Sequence, residues 1–95
     1  MNVYLAGPMR SHPVDLNYPA FYAAAADLRA EGHFVYNPPE VIPFETDIRR
    51  AMTLDTAWIC TYADAIALLP GWESSTGATA EHALAKAIGI EVILL

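Results

Sequence analysis

Apolar and polar positions along this chain alternate between two periods. Short β-favouring runs stand at 2–6 (NVYLA), 33–37 (HFVYN), 64–69 (DAIALL) and 90–95 (IEVILL), each of strand length. Gly7-Pro8, Pro38-Pro39 and Pro70-Gly71 close the first three, as turn residues do. The run at 64–69 is apolar enough to be buried on both faces. Helical spacing fills the intervals. In 19–31, Phe21, Ala25 and Leu28 share one face, Pro19 suits a first turn, and Gly32 is a stop. A second helix is expected from a Thr46 N-cap to about Tyr62, with Asp47 in its first turn and Ile48, Ala51, Met52, Trp58 and Ile59 as its apolar positions. A third covers 77–88, capped by Ser75 or Thr76 and closed by Gly89. Segments 11–18 and 38–45, which are polar or rich in proline, read as loop.

The order is β-α-β-α-β-α-β. Strands joined through helices make right-handed parallel crossovers, which gives an α/β fold with a four-stranded parallel sheet between helical layers. Ligands in such sheets bind beyond the carboxyl ends of the strands. That rule selects Gly7–Arg10, Asn37–Pro39, Pro70–Thr76 and the first turns of the 77–88 helix.

Composition narrows the function classes. The chain has 95 residues, 55% hydrophobic and 17% charged. That suits one folded domain over 1–95 and excludes a disordered chain. Eleven acidic residues against five basic ones leave a net charge of −6, a poor match for a nucleic-acid polymer. A small anion remains possible, because a helix start and one Arg can hold a phosphate. The lone Cys60 excludes an intrachain disulfide and fits a reducing compartment. No apolar run approaches the ~18–20 residues of a membrane span, and no export signal precedes the first strand. The expectation is a soluble cytoplasmic protein.

The strand ends carry the candidate chemistry. Pro70-Gly71-Trp72-Glu73-Ser74-Ser75-Thr76-Gly77 leads directly into a helix, where unpaired amides and the helix dipole favour an anion. Ser75 and Gly77 are its contacts; a simple N-cap is the plainer reading of Ser75. Neither a Walker loop nor a dinucleotide fingerprint is present. Glu81 lies about one turn further in, ~6 Å along the axis from Gly77, among small residues. Asp55, mid-helix, is a second carboxylate, and two carboxylates with split roles can break a glycosidic bond. Asp64 opens a strand at the wrong end and reads as structural. Gly7 lets the chain turn sharply over the sheet edge. Arg10, the only Lys or Arg in the first 28 residues, is a phosphate partner or a plain surface residue. His12, His33, His82 and Cys60 make no metal-ligand spacing, so neither metal nor cofactor is expected. Cys60, beside Trp58 and Ile59, reads as a core thiol.

Tyr4-Leu5-Ala6-Gly7-Pro8-Met9-Arg10, the run 63–72 (ADAIALLPGW) and Ser75-Thr76-Gly77-Ala78-Thr79-Ala80-Glu81 resemble the nucleoside 2-deoxyribosyltransferase superfamily. The nearest branch is one of small DUF4406-type proteins, and the chain is also similar to 2'-deoxynucleoside 5'-monophosphate N-glycosidases. The resemblance implies a flavodoxin-like, Rossmann-like three-layer sandwich with strand order 2-1-3-4. It also implies cleavage of the N-glycosidic bond of a nucleoside or its 5'-monophosphate, by hydrolysis or base transfer. Glu81 would be the nucleophile and Tyr4 its positioning residue. Arg10 and Ser75 would hold the 5'-phosphate; the strand-end positions Gly7, Gly77, Pro70 and Trp72 are the remaining substrate-site candidates. The assisting acid would be Asp55, with Thr56 as a competing alignment. A non-catalytic nucleotide-sensing module with the same pocket is the alternative, and a plain scaffold domain a third reading. An apolar last strand at a sheet edge is normally covered, so a homodimer or higher oligomer is expected.

Overall fold

Four parallel strands form one sheet in the order β2-β1-β3-β4. The computed structural model describes residues 1–44 and 46–95. The elements are β1 (Asn2–Ala6), α1 (Tyr18–Ala30), β2 (Phe34–Tyr36), α2 (Pro38–Val41), α3 (Ile48–Tyr62), β3 (Ala65–Leu68), α4 (Thr76–Ile88) and β4 (Glu91–Leu94), with a 3-10 turn over Trp72–Ser74 before α4. The order reverses between β1 and β3, the switch point where flavodoxin-like sheets bind ligands.

Alternation along β1 divides the interior in two. Val3 and Leu5 join Phe21, Ala25 and Leu28 of α1, Val35 of β2, and Ala65 and Ala67 of β3 in one apolar cluster. Tyr4 and Ala6 face the other way, toward Ile59 of α3 and Ala78 and Ala85 of α4. Helices therefore cover both faces, α1 on one and α3 with α4 on the other. β3 is buried along its whole length, as its apolar run requires.

Several local expectations change. Pro38–Val41, expected as loop, is a short helix, because proline is compatible with the first helical positions. Glu45, the last residue of that expected loop, lies outside the described residues. The N-cap of α3 is Asp47, not Thr46: its carboxylate accepts from the amides of Arg49 and Arg50 at 3.0 and 3.3 Å, satisfying donors at the helix start. Ser75, not Thr76, caps α4 by accepting from the Ala78 amide at 3.2 Å. Cys60 is exposed rather than in the core. α3 turns Asp55 and Ile59 inward, which leaves the next position facing out. Asp64 is structural, its Oδ2 accepting from the Asn2 amide at 2.7 Å.

Val92, Leu94 and Leu95 stay exposed at the β4 edge. No helix among the described residues is long and apolar enough to cross a membrane.

Candidate functional site

Tyr4 and Tyr36 are register partners in parallel β1 and β2, so both side chains leave the same face of the sheet. Their rings stack with centroids 5.2 Å apart, and Trp58 of α3 packs on Tyr36 at 5.0 Å and Tyr4 at 6.4 Å. A buried phenol needs a hydrogen-bond partner, and each of these finds a carboxylate. Tyr4 donates to Glu81 Oε2 at 2.6 Å, and Tyr36 donates to Asp55 Oδ1 at 2.9 Å. Helical spacing delivers both acids. α4 buries Ala78, Glu81 and Ala85 along one stripe, and α3 buries Asp55 and Ile59 four residues apart. Two tyrosine–carboxylate pairs thus stand side by side on the α3–α4 face of β1 and β2.

Their environment controls their charge. Burial pushes Glu81 up to about 8; the Tyr4 hydrogen bond opposes the rise and the nearby Asp55 charge adds to it. A helix dipole favours an ionised carboxylate near the start of α4, but desolvation outweighs it. Burial also raises Asp55, against the hydrogen bond from Tyr36 and the neighbouring Tyr4 hydroxyl. Tyr4 is held well above the ordinary phenol range, first by burial and then by the charges of Glu81 and Asp55. Both phenols therefore remain donors at neutral pH. The Asp55 charge raises Glu81, so the two acids resist carrying two negative charges at once.

A cavity of about 310 Å³ opens beside the acids, the low end of the range for small-molecule sites. Its chemistry is divided. Tyr4, Asp55 and Glu81 form the deep acidic end. Met9, Ile48, Ala51 and Met52 supply apolar wall, and Arg10, Ser11, Ser74, Ser75, Thr76 and Gly77 a polar rim. The Thr76 and Gly77 amides begin α4 and have no intrahelical acceptor. A Cβ on Gly77 would meet nothing within 4 Å, so bare backbone is open to a ligand there. Gly7 is required for another reason: a Cβ on it would lie 2.7 Å from Leu69 Cβ, so it allows the ends of β1 and β3 to close on each other. Arg10 is exposed, with Nη1 3.5 Å from the Thr46 carbonyl. A smaller cavity of about 110 Å³ shares Met9, Arg10, Pro38, Ala51 and Asp55 with the first.

Residues 1–94 match the family described as Domain of unknown function (DUF4406). The chain belongs to the DUF4406 family. No curated protein and no solved structure matches it.

Around this cavity the DUF4406 chain brings together seven of the nine residues singled out above: Tyr4, Gly7, Arg10, Asp55, Ser75, Gly77 and Glu81. Pro70 and Trp72 do not line it. Pro70 is exposed. Gly71 turns left-handed at φ 86°, and the Trp72 ring then packs at a tilt against His82, centroids 4.5 Å apart. Asp55 and not Thr56 faces the cavity; the Thr56 hydroxyl instead donates to the Met52 carbonyl at 2.6 Å. In the strand-end segment 37–39, Pro38 lines both cavities. Asn37 is buried beside it, donating to Glu40 Oε1 at 2.9 Å while its Oδ1 has no partner among the described residues.

Sequence reasoning missed Tyr36, the hydroxyls of Ser11 and Ser74, and the wall role of Ile48 and Met52. A signal for Tyr36 existed: a phenol in an otherwise apolar strand run, the same residue type as in β1. Only the strand register put the two side by side.

Proposed function

We propose that this protein cleaves the N-glycosidic bond of a (deoxy)nucleoside 5'-monophosphate or nucleoside, through a covalent intermediate on Glu81. One observation carries the reading: a tyrosine-bound glutamate and a second raised carboxylate share one cavity with a helix start, a serine cap and an arginine. The family resemblance in the 63–89 and N-terminal motifs, which contain Tyr4, Arg10, Ser75 and Glu81, supports it as well. The split of the cavity suits a ligand with phosphate at one end and a glycosidic carbon at the other. Arg10, Ser75 and the open backbone at Gly77 would hold the phosphate, and the apolar wall would meet the base.

Ionised Glu81 attacks C1' while the C1'–N bond breaks, and that electron pair passes to the base nitrogen. Asp55 supplies the proton the departing base needs. The product of this step is a glycosyl ester on Glu81 and a free base. Asp55, now ionised, takes a proton from water as the water oxygen attacks C1' and the ester bond breaks; a second base replaces water in transfer. Tyr4 donates to the Glu81 carboxylate and so stabilises its ionised form. The cycle needs the charge on Glu81 and the proton on Asp55, so Glu81, pushed up to about 8 by burial, must lose its proton before it attacks. A small-molecule partner follows from this reading. The exposed apolar edge of β4 supports a homo-oligomer, to be read from the mass in solution by light scattering.

A panel of (deoxy)nucleosides and their 5'-monophosphates, followed by chromatography for free base, tests the activity. Base release that disappears in Glu81→Ala, with nucleotide binding retained, is the expected result. Burial pushes Glu81 up to about 8, and this favours a second reading, a nucleotide sensor. Binding without base release at any pH up to 9 would select it.

A further inference from the structure

We propose that Tyr36 is a positioning residue for departure of the base: its hydroxyl holds one oxygen of Asp55 and leaves the other to act as proton donor in the cavity. This role rests on the glycosidic reading and adds a residue to it. Asp55 lines both cavities, yet its Oδ1 is already occupied by the buried Tyr36 hydroxyl at 2.9 Å. Oδ2 is therefore the oxygen open to a substrate. A carboxyl on α3 that could rotate freely would present either oxygen; one pinned from β2 presents one.

The pin is itself rigid. Tyr36 is buried, stacked on Tyr4 with ring planes 26° apart and backed by Trp58. The Tyr4–Tyr36 register pair lies in the sheet, so the two hydroxyls keep a fixed separation. Tyr4 sets the glutamate and Tyr36 the aspartate, which fixes the two acids relative to each other across the glycosidic bond. Alignment of a proton donor with its acceptor is a rate effect rather than an affinity effect. Tyr36 does not line either cavity, so it acts through Asp55 and not on the substrate.

The titratable groups around Asp55 come from several elements: Tyr4 on β1, Tyr36 on β2 and Glu81 on α4, with Arg10 and Tyr18 across the smaller cavity. Only Tyr36 is removed by Tyr36→Phe, which keeps the ring and its stacking. A hydrogen bond to the ionised carboxylate favours ionisation, so its loss should raise the pH at which Asp55 loses its proton.

The experiment compares wild type and Tyr36→Phe in two measurements. Carboxyl-13C aspartate labelling with NMR titration follows Asp55, assigned by its absence in Asp55→Asn. Steady-state base release follows the reaction over pH 5–9 on the best substrate of the panel. The expected results are an Asp55 midpoint about one unit higher in Tyr36→Phe, kcat lower by about 10- to 100-fold with KM within about threefold, and an alkaline limb of kcat shifted the same way. Unchanged kcat and an unchanged limb in an active, folded Tyr36→Phe overturn this role and leave the glycosidic reading standing. A change confined to KM also overturns it. An inert wild type overturns the reaction and this role with it, even if the NMR midpoint moves.

Discussion

The two faces of the sheet are built from the same strands and differ by one residue of phase. On the α1 face, Val3, Leu5, Val35, Ala65 and Ala67 meet Phe21, Ala25 and Leu28 in hydrocarbon contact. On the α3–α4 face, Tyr4 and Tyr36 stand beside Ile66 and Leu68, and the helices return two buried carboxylates to them. The first face lowers the free energy of the fold by burying apolar surface. The second gives up part of that gain, because burying a carboxylate costs more than a hydrogen bond returns. A protein that needed only to fold would have two faces like the first. The contrast therefore locates the functional pressure before any substrate is named.

Substitutions can separate the two faces. The largest expected effect is on the acidic one: Glu81→Gln should lower base release by about 10³-fold or more, roughly 4 kcal/mol of barrier. Nucleotide affinity should stay within a few-fold by calorimetry. The contrast breaks if turnover survives.

Leu28→Ala tests the opposite face. It should cost about 2–4 kcal/mol in urea unfolding, with base release per folded molecule unchanged. A specific loss of turnover would mean that the apolar face also tunes the site.

The third test is pH. Glu81 ordinarily loses its proton near 4.5, and in the folded protein only at about 8. Below 4.5 both states hold the proton and stability does not respond. Between 4.5 and 8 the unfolded chain has released it while the fold retains it, so stability falls as pH rises. Above 8 the full cost is present, on the order of 5 kcal/mol. Melting temperature measured across pH 4–9 should decline through this window in wild type and much less in Glu81→Gln, which should be the more stable protein at pH 8.5. Equal slopes would remove the claim that the acidic face is held at a cost.

The smallest effect belongs to the rim. Ser75→Ala removes a cap worth about 1 kcal/mol. It should also raise KM for 5'-monophosphates but not for nucleosides, and equal changes for both would take Ser75 out of the phosphate site.

Much of this was legible in the chain. The period of the apolar pattern switches between strand and helix, and that switching gave the α/β order and the parallel sheet. The strand-end rule picked out Gly7, Arg10, Ser75 and Gly77 because turn chemistry and helix starts are local properties. The errors were local competitions: Asp47 over Thr46 as a cap, proline starting a helix at Pro38, and Cys60 outside because α3 turns Asp55 and Ile59 inward. Trp72 was assigned by its place on a strand-end loop, but the left-handed Gly71 and the following turn carry it to His82.

The sequence by itself determined the elements, their order and the residue types available at the strand ends, because backbone propensity and apolar spacing act over a few neighbours. Tertiary structure decided which of those residues share a cavity and what charge they carry. Tyr36 became a partner of Asp55 only through the register of two strands separated by a helix. Glu81 became a carboxylic acid near neutral pH only through the desolvation that packing imposes. Distance between chain-remote groups and exclusion of water are collective properties of the fold, and no window of sequence contains them.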